Sequence, residues 1–271
     1  MGSLHFLSLS LFFFILSVSS VRLPAFDDVN KTMHVPSVAF DPTRVTQLSW
    51  APRVFLYKGF LSDKECDHLI NKARGYLQKS LVAAGESGEN EMSEDRTSSG
   101  MFFTKAEDEI ITEIEDRIAT WTFLPIGNGE PIQVLRYEHG QKYEPHFDFF
   151  SDKYNLQFGG NRVATVLMYL SNVGKGGETV FPNTESSLLQ LKDESLSECA
   201  KMGYAVKPIK GDALLFFSLR PNATVDIKSL HGSCPVIEGE KWSATKWIHA
   251  SNFDIPFKKL RKIDVYKLVN V

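Results

Sequence analysis

The sequence predicts an α+β protein in which amphipathic helices near the start pack on one sheet of a β-sandwich or jelly roll. Three observations carry this reading. Two capping boxes, Ser62-Asp63-Lys64-Glu65 and Thr104-Lys105-Ala106-Glu107, each precede apolar residues at helical spacing. From Ile132 onward the pattern changes to short runs of β-branched and aromatic residues, punctuated by Gly, Asn and Pro. The 271 residues, 43% hydrophobic and 23% charged, have an ordinary globular make-up and suit one large domain.

Residues 4–18 form an apolar run, short for a spanning helix and right for a signal-peptide core. Ser17, Ser19 and Ser20 supply small residues for cleavage, but no positively charged leader precedes the run. Residues 1–20 are therefore read as a signal peptide or a retained signal-anchor. Residues 21–46, with Pro24, Pro36 and Pro42 and no periodicity, read as a linker, and the folded domain is expected over 47–253. A strand is expected at 54–57. The first capping box then opens a helix that buries Cys66, Leu69, Ile70, Ala73 and Leu77. Residues 83–100 are rich in Gly, Ser and Glu and are expected to form a mobile loop able to act as a lid. The second capping box opens a helix with Ile110, Ile111, Ile114, Ile118 and Trp121 on its buried face, ended by the segment 125–131. Strands follow at 133–137, 146–149, 162–170, 178–181, 204–207, 213–218, 230–233 and 240–253. Residues 184–200 read as a polar surface insertion, and 254–271 as a basic tail.

The formal net charge of −3 offers no basic surface for nucleic acid. The three cysteines, Cys66, Cys199 and Cys234, show no Cys-x-x-Cys spacing, which excludes zinc-ribbon and thioredoxin-like readings. Cys199 and Cys234 flank the strands over 204–218 and are expected to bridge, leaving Cys66 in its helix. Asn30 and Asn222 begin Asn-x-Thr sequons, which are glycosylation sites if the chain enters a secretory lumen.

The chemistry centres on Lys142-Tyr143-Glu144-Pro145-His146-Phe147-Asp148-Phe149. On an extended strand, residues two apart share a face, so His146 and Asp148 can aim a nitrogen and an oxygen at one point. With a distant second histidine they would make the 2-His-1-carboxylate set that leaves open positions on Fe(II). His231 is the candidate, and Lys241 follows ten residues later on the next strand. A charged lysine among apolar strand residues needs a partner.

Those residues, with Arg96-Thr97-Ser98-Ser99-Gly100, Gly176-Gly177-Glu178-Thr179-Val180-Phe181-Pro182 and Lys241-Trp242-Ser243-Ala244-Thr245-Lys246-Trp247-Ile248-His249, resemble the iron- and 2-oxoglutarate-dependent dioxygenases, and within them the plant-type prolyl 4-hydroxylases. The resemblance spans residues 40–253. It implies a double-stranded β-helix (jelly roll) core, with Fe(II) on His146, Asp148 and His231. It implies 2-oxoglutarate as co-substrate with its far carboxylate on Lys241, assisted by Tyr137 and Thr179. O2 is the oxidant and L-ascorbate the supporting reductant. The implied substrates are proline-rich peptides, whose polyproline II form suits aromatic-lined grooves. Tyr143 and Trp247 are the candidate walls, with a packed core position as the alternative for Trp247. Arg96, Ser98, Glu130, Arg162 and His249 are the candidate peptide contacts. The implied location is the lumen of the endoplasmic reticulum or Golgi, either free or as a single-pass type II membrane protein. Association with other hydroxylase chains stays open. So do two other readings: a 2-oxoglutarate-dependent hydroxylase acting on lysine or a small molecule, and a non-catalytic metal-binding jelly roll. Some family members carry a Cys-rich module after the catalytic domain, and residues 254–271 contain no cysteine.

Overall fold

The computed structural model describes residues 40–84, 89–184 and 195–253. The N-terminal apolar run, Asn30 and the basic tail lie outside the described residues. Among the described residues the chain is mostly antiparallel sheet with two α-helices, consistent with a jelly roll. The larger sheet runs, in spatial order, Val45–Trp50, Arg53–Tyr57, Ala213–Phe217, Arg162–Tyr169, Lys241–His249, Gln133–Tyr137, Ser99–Phe102 and Gln78–Lys79. The smaller sheet runs Tyr204–Val206, Thr179–Phe181, His231–Ser233 and Tyr143–His146. Every neighbouring pair in both sheets is antiparallel.

The two-residue alternation of the strands divides the larger sheet into a core face and a cavity face. Along Lys241–His249 all nine residues are buried. Trp242, Ala244 and Ile248 belong to the main hydrophobic cluster, together with Ala164, Val166, Met168 and Val134 from the flanking strands. Cys66, Leu69, Ile70 and Ala73 of helix α1 (Asp63–Ala73) and Ile111, Ile114, Ile118 and Trp121 of helix α2 (Glu109–Thr122) complete that cluster. On the opposite parity, Lys241, Ser243, Thr245 and Trp247 line a cavity, with Leu135, Tyr137, Thr165 and Leu167 beside them.

Helix α1 starts where its capping box places it: Ser62 Oγ accepts from Glu65 N, and Glu65 Oε2 accepts from Ser62 N at 2.7 Å. The second capping box does not open its helix. Glu107 Oε2 accepts from Thr104 N at 2.7 Å, closing a turn, but Ala106 at φ 52° cannot continue a right-handed helix. Asp108 caps α2 instead, accepting from Ile111 N at 2.9 Å. The helix ends at Thr122, before the predicted stop, as Phe123 turns left-handed at φ 56°.

Four further expectations change. The folded part begins before residue 47: Phe40 packs against Tyr57, with ring centroids 5.9 Å apart, and Val45–Trp50 pairs with Arg53–Tyr57. Residues 83–100 are not a structureless loop, because Val82–Ala84 pairs with Glu89–Glu91 and Ser99–Phe102 joins the large sheet. The segment around 195–200 is not a surface insertion; Leu196, Ser197 and Ala200 are buried. The predicted strand 146–149 is instead Tyr143–His146, ending at the histidine. Cys199 and Cys234 form a disulfide. Cys66 is a free, buried thiol of α1, its pKa pushed up to about 12 by burial. No helix among the described residues is long and apolar enough to cross a membrane.

Candidate active site

His146 and His231 face each other across two strands of the smaller sheet, where they are register partners. Asp148 reaches them from a bend and not, as strand parity predicts, from the strand, which ends at His146. One ligand-type atom from each of the three lies within 4.8 Å of the others. Each histidine is oriented through its other nitrogen. His146 Nδ1 contacts Glu144 O at 2.8 Å, and His231 Nδ1 contacts Ser229 O at 2.9 Å. A carbonyl only accepts, so each Nδ1 carries a proton and each Nε2 is the nitrogen turned toward the third ligand. Both Nε2 atoms lie 3.6 Å from Asp148 carboxylate oxygens. Thr165 Oγ1 donates to Asp148 Oδ2 at 2.6 Å and holds that carboxylate. Burial, with His231 nearby, takes the pKa of the His146 imidazole down to about 3, so it is neutral at neutral pH. Two imidazoles and a carboxylate on one wall of a cavity suit a divalent iron with coordination positions left open.

The cavity runs from this cluster to Lys241. The lysine is 1% exposed. Its Nζ donates to Ser233 Oγ at 2.8 Å, and the Tyr137 and Tyr169 ring centroids lie 5.3 and 5.7 Å away. Burial brings the pKa of its amine down to about 7, opposed by the Glu178 charge. Thr179 lines the same space and accepts from Tyr169 Oη at 2.8 Å. A buried ammonium whose near neighbours are a hydroxyl and aromatic rings is a site for an anion. Ser233 and Tyr169 are not singled out by the sequence reading. Ser233 is within reach of it, two residues after His231 on the same strand face.

A second, more polar cavity opens beyond the histidines. Arg96, Tyr143, His146, Asp148 and Trp247 border both spaces; Phe147, Phe149, Phe150, Asp152 and Arg162 border only the outer one. The three phenylalanines are a feature that the sequence reading misses. The candidate peptide contacts divide accordingly. Arg162 lines the outer cavity, with its guanidinium 4.2 Å from the Trp247 ring centroid. Glu130 and His249 are not on the wall. Glu130 takes Arg162 Nε at 2.6 Å and His249 Nε2 at 2.7 Å, so the pair backs Arg162 from behind. Burial works to raise the Glu130 carboxyl, but Arg162 and His249 outweigh it and hold its pKa at about 2. Ser98 is also off the wall: it is fully buried and donates to Ser80 Oγ at 2.9 Å. Arg96 is 5% exposed and donates to Gln133 Oε1 at 2.8 Å while lying 4.8 Å from the Tyr143 ring centroid. Tyr143 stacks on His146 at 3.6 Å between centroids, so one of its faces is already taken. Trp247 is 7% exposed, and its Nε1 is buried without a hydrogen-bond partner at the junction of the two cavities. Asn222 sits in an exposed turn, apart from both cavities.

Comparisons with known proteins agree with this arrangement. Residues 132–249 match the model of the 2OG-Fe(II) oxygenase superfamily. The chain is 67% identical to "Probable prolyl 4-hydroxylase 7" of Arabidopsis thaliana, over 82% of this chain and 71% of that protein. It is 60% identical to "Prolyl 4-hydroxylase 2" of the same plant, over 81% of this chain and 74% of that one. Among solved structures it resembles the viral collagen prolyl hydroxylase of Paramecium Bursaria Chlorella virus-1 in its 2OG complex. That match has a TM-score of 0.54 and 30% identity, covering 72% of this chain and 94% of the viral one. On the strength of these matches and the triad-to-lysine cavity, the chain belongs to the plant-type prolyl 4-hydroxylases of the 2OG-Fe(II) oxygenase superfamily.

Proposed function

We propose that the chain is a peptidyl-proline 4-hydroxylase of proline-rich secretory or cell-wall-type proteins. It converts 2-oxoglutarate and O2 to succinate and CO2 and places one oxygen atom on the proline ring. The single observation that carries this reading is the cavity with His146, Asp148 and His231 at one end and the buried Lys241 at the other. Fe(II) held by the three ligands supplies the oxygen activation and the oxidising power. The chain supplies the rest. The Nδ1–carbonyl contacts and Thr165 fix the ligand atoms before any metal arrives. Lys241, with Ser233, Tyr137 and Thr179, takes the far carboxylate and sets which end of the 2-oxo acid meets the metal ligands. The largely apolar lining of the inner cavity disfavours bulk water at the reacting centre.

The outer cavity suits an extended peptide, since a polyproline II segment has no internal hydrogen bonds and presents flat apolar rings and free carbonyls. Arg162, held by Glu130 and backed by His249, and Trp247, whose N–H is unpartnered, line that space. The scaffold reading accompanies this: the two helices form a layer on the core face of the large sheet, supported by their shared hydrophobic cluster. Residues 47–253, extended back to Phe40, form the catalytic domain. A lumenal location in the endoplasmic reticulum or Golgi is supported by the Cys199–Cys234 bridge and the exposed Asn222 sequon.

Succinate release with and without peptide tests the reading. A proline-rich peptide is expected to stimulate turnover strongly, and a lysine-containing, proline-free peptide is expected to leave it at the uncoupled level. Stimulation by the lysine peptide alone would overturn the substrate assignment. Trp247→Phe refines it: an aromatic wall remains and the indole N–H is lost. The peptide KM is expected to rise by about tenfold, the size of one buried hydrogen bond, with uncoupled 2-oxoglutarate turnover retained. Equal loss of both activities would make Trp247 a packing residue only.

A further inference from the structure

Lys241 is held by more than Ser233. Its alkyl stem lies against Gly177, where an added Cβ would stand 3.4 Å from Lys241 Cδ. Gly177 adopts φ 68°, which lets the chain turn tightly into Glu178 and Thr179 alongside the lysine. Glu178 is 1% exposed, and nothing in the oxygenase chemistry above uses it. Both of its carboxylate oxygens are taken by one residue: Ser197 N donates to Oε1 at 2.9 Å and Ser197 Oγ to Oε2 at 2.8 Å. Its main-chain oxygen accepts from Cys234 N at 2.9 Å. Cys234 directly follows Ser233, the hydroxyl on Lys241, and is bonded to Cys199, two residues beyond Ser197.

We propose that Glu178 is a positioning residue for Lys241, and that Ser197 and the Cys199–Cys234 bridge form the strap that fixes it. The strap closes a short circuit: Ser197 to Glu178, Glu178 to Cys234, Cys234 to Cys199 and back to Ser197. Both groups that orient the lysine adjoin that circuit: Ser233 directly precedes Cys234, and Gly177 directly precedes Glu178. The Glu178 charge also favours the protonated lysine, against the effect of burial. The carboxylate's two hydrogen bonds to Ser197 anchor the turn that sets Gly177 against the lysine stem and Thr179 in the same cavity. This inference rests on the assignment of Lys241 to the 2-oxoglutarate carboxylate.

The test is steady-state kinetics on the folded enzyme with Ser197→Ala and Glu178→Gln. Both are nearly isosteric; the first removes one donor and keeps the disulfide, the second removes the charge. Each is expected to raise the KM for 2-oxoglutarate by roughly fivefold or more, the effect of one lost buried hydrogen bond. The peptide KM is expected to stay within about twofold, since the outer cavity is untouched. Cys199→Ala/Cys234→Ala is expected to show the same selective rise, beyond any fall in melting temperature. An unchanged 2-oxoglutarate KM in Ser197→Ala and Glu178→Gln overturns the proposal. So does a parallel fall of all kinetic parameters with melting temperature, which is the mark of a merely structural role. Lys241→Ala, run alongside, separates the two levels. If it leaves the 2-oxoglutarate KM unchanged, the site reading fails. If it raises that KM and the other variants do not, only the strap fails.

Discussion

His231→Ala is expected to abolish turnover in a protein that still folds. The residue supplies one of three ligand atoms, and its Nε2 has no substitute nearby among the described residues. The loss should exceed the roughly 10–100-fold that follows from removing a group that merely supports a ligand. His146→Ala and Asp148→Ala should match it. Asp148→Glu should fail as well, because the added methylene moves the carboxylate off Thr165, which now donates to it at 2.6 Å. Succinate release reads the activity, and titration with Fe(II) or a spectroscopic surrogate such as Co(II) reads the site independently. Circular dichroism confirms the fold. Near-wild-type turnover in folded His231→Ala would remove it from the ligand set.

Lys241→Ala is expected to destroy 2-oxoglutarate affinity while sparing the peptide. Truncating one partner of a buried charge pair costs about 2–5 kcal/mol, roughly a 30-fold to several-thousand-fold rise in KM. Stability should change little or improve, since a buried ammonium is itself a desolvation cost. Lys241→Arg should rescue only in part. It keeps the charge, but the stem already lies on Gly177, and a bulkier planar guanidinium would crowd that contact. Equal 2-oxoglutarate affinity in Lys241→Ala and the wild type would mean that another group holds the far carboxylate.

The parts of this site legible in the sequence are those carried by residue type and short spacing. His146, Asp148, His231 and Lys241 can be picked because few other chemistries need that order, and the alternation along Lys241–His249 places Trp247 on the lysine's side. What spacing cannot show is depth. Glu130, His249 and Ser98 read as contact residues, yet they lie behind the wall, and only the tertiary fold separates a residue that touches the cavity from one that braces its neighbour. For Tyr143 and Trp247 the choice between wall and core is too sharp: a ring stacked on a ligand and an indole at a cavity junction serve as both. The start of the second helix falls about one turn later than expected because the Thr104–Glu107 pattern is satisfied equally by a closed turn, and no residue pattern announces the left-handed Ala106. Strand ends also escape, as at His146, where the chain leaves the sheet edge so that Asp148 can reach the histidines.

The most direct test of the central claim follows the oxygen. The wild-type protein is incubated with Fe(II), 2-oxoglutarate, O2, ascorbate and a proline-rich peptide, and the peptide is hydrolysed and analysed for hydroxylated residues. The wild-type protein is expected to form one 4-hydroxyproline per succinate released above the peptide-free level, and His231→Ala neither product. Succinate formed without hydroxyproline, or oxygen found on a residue other than proline, would contradict the claim.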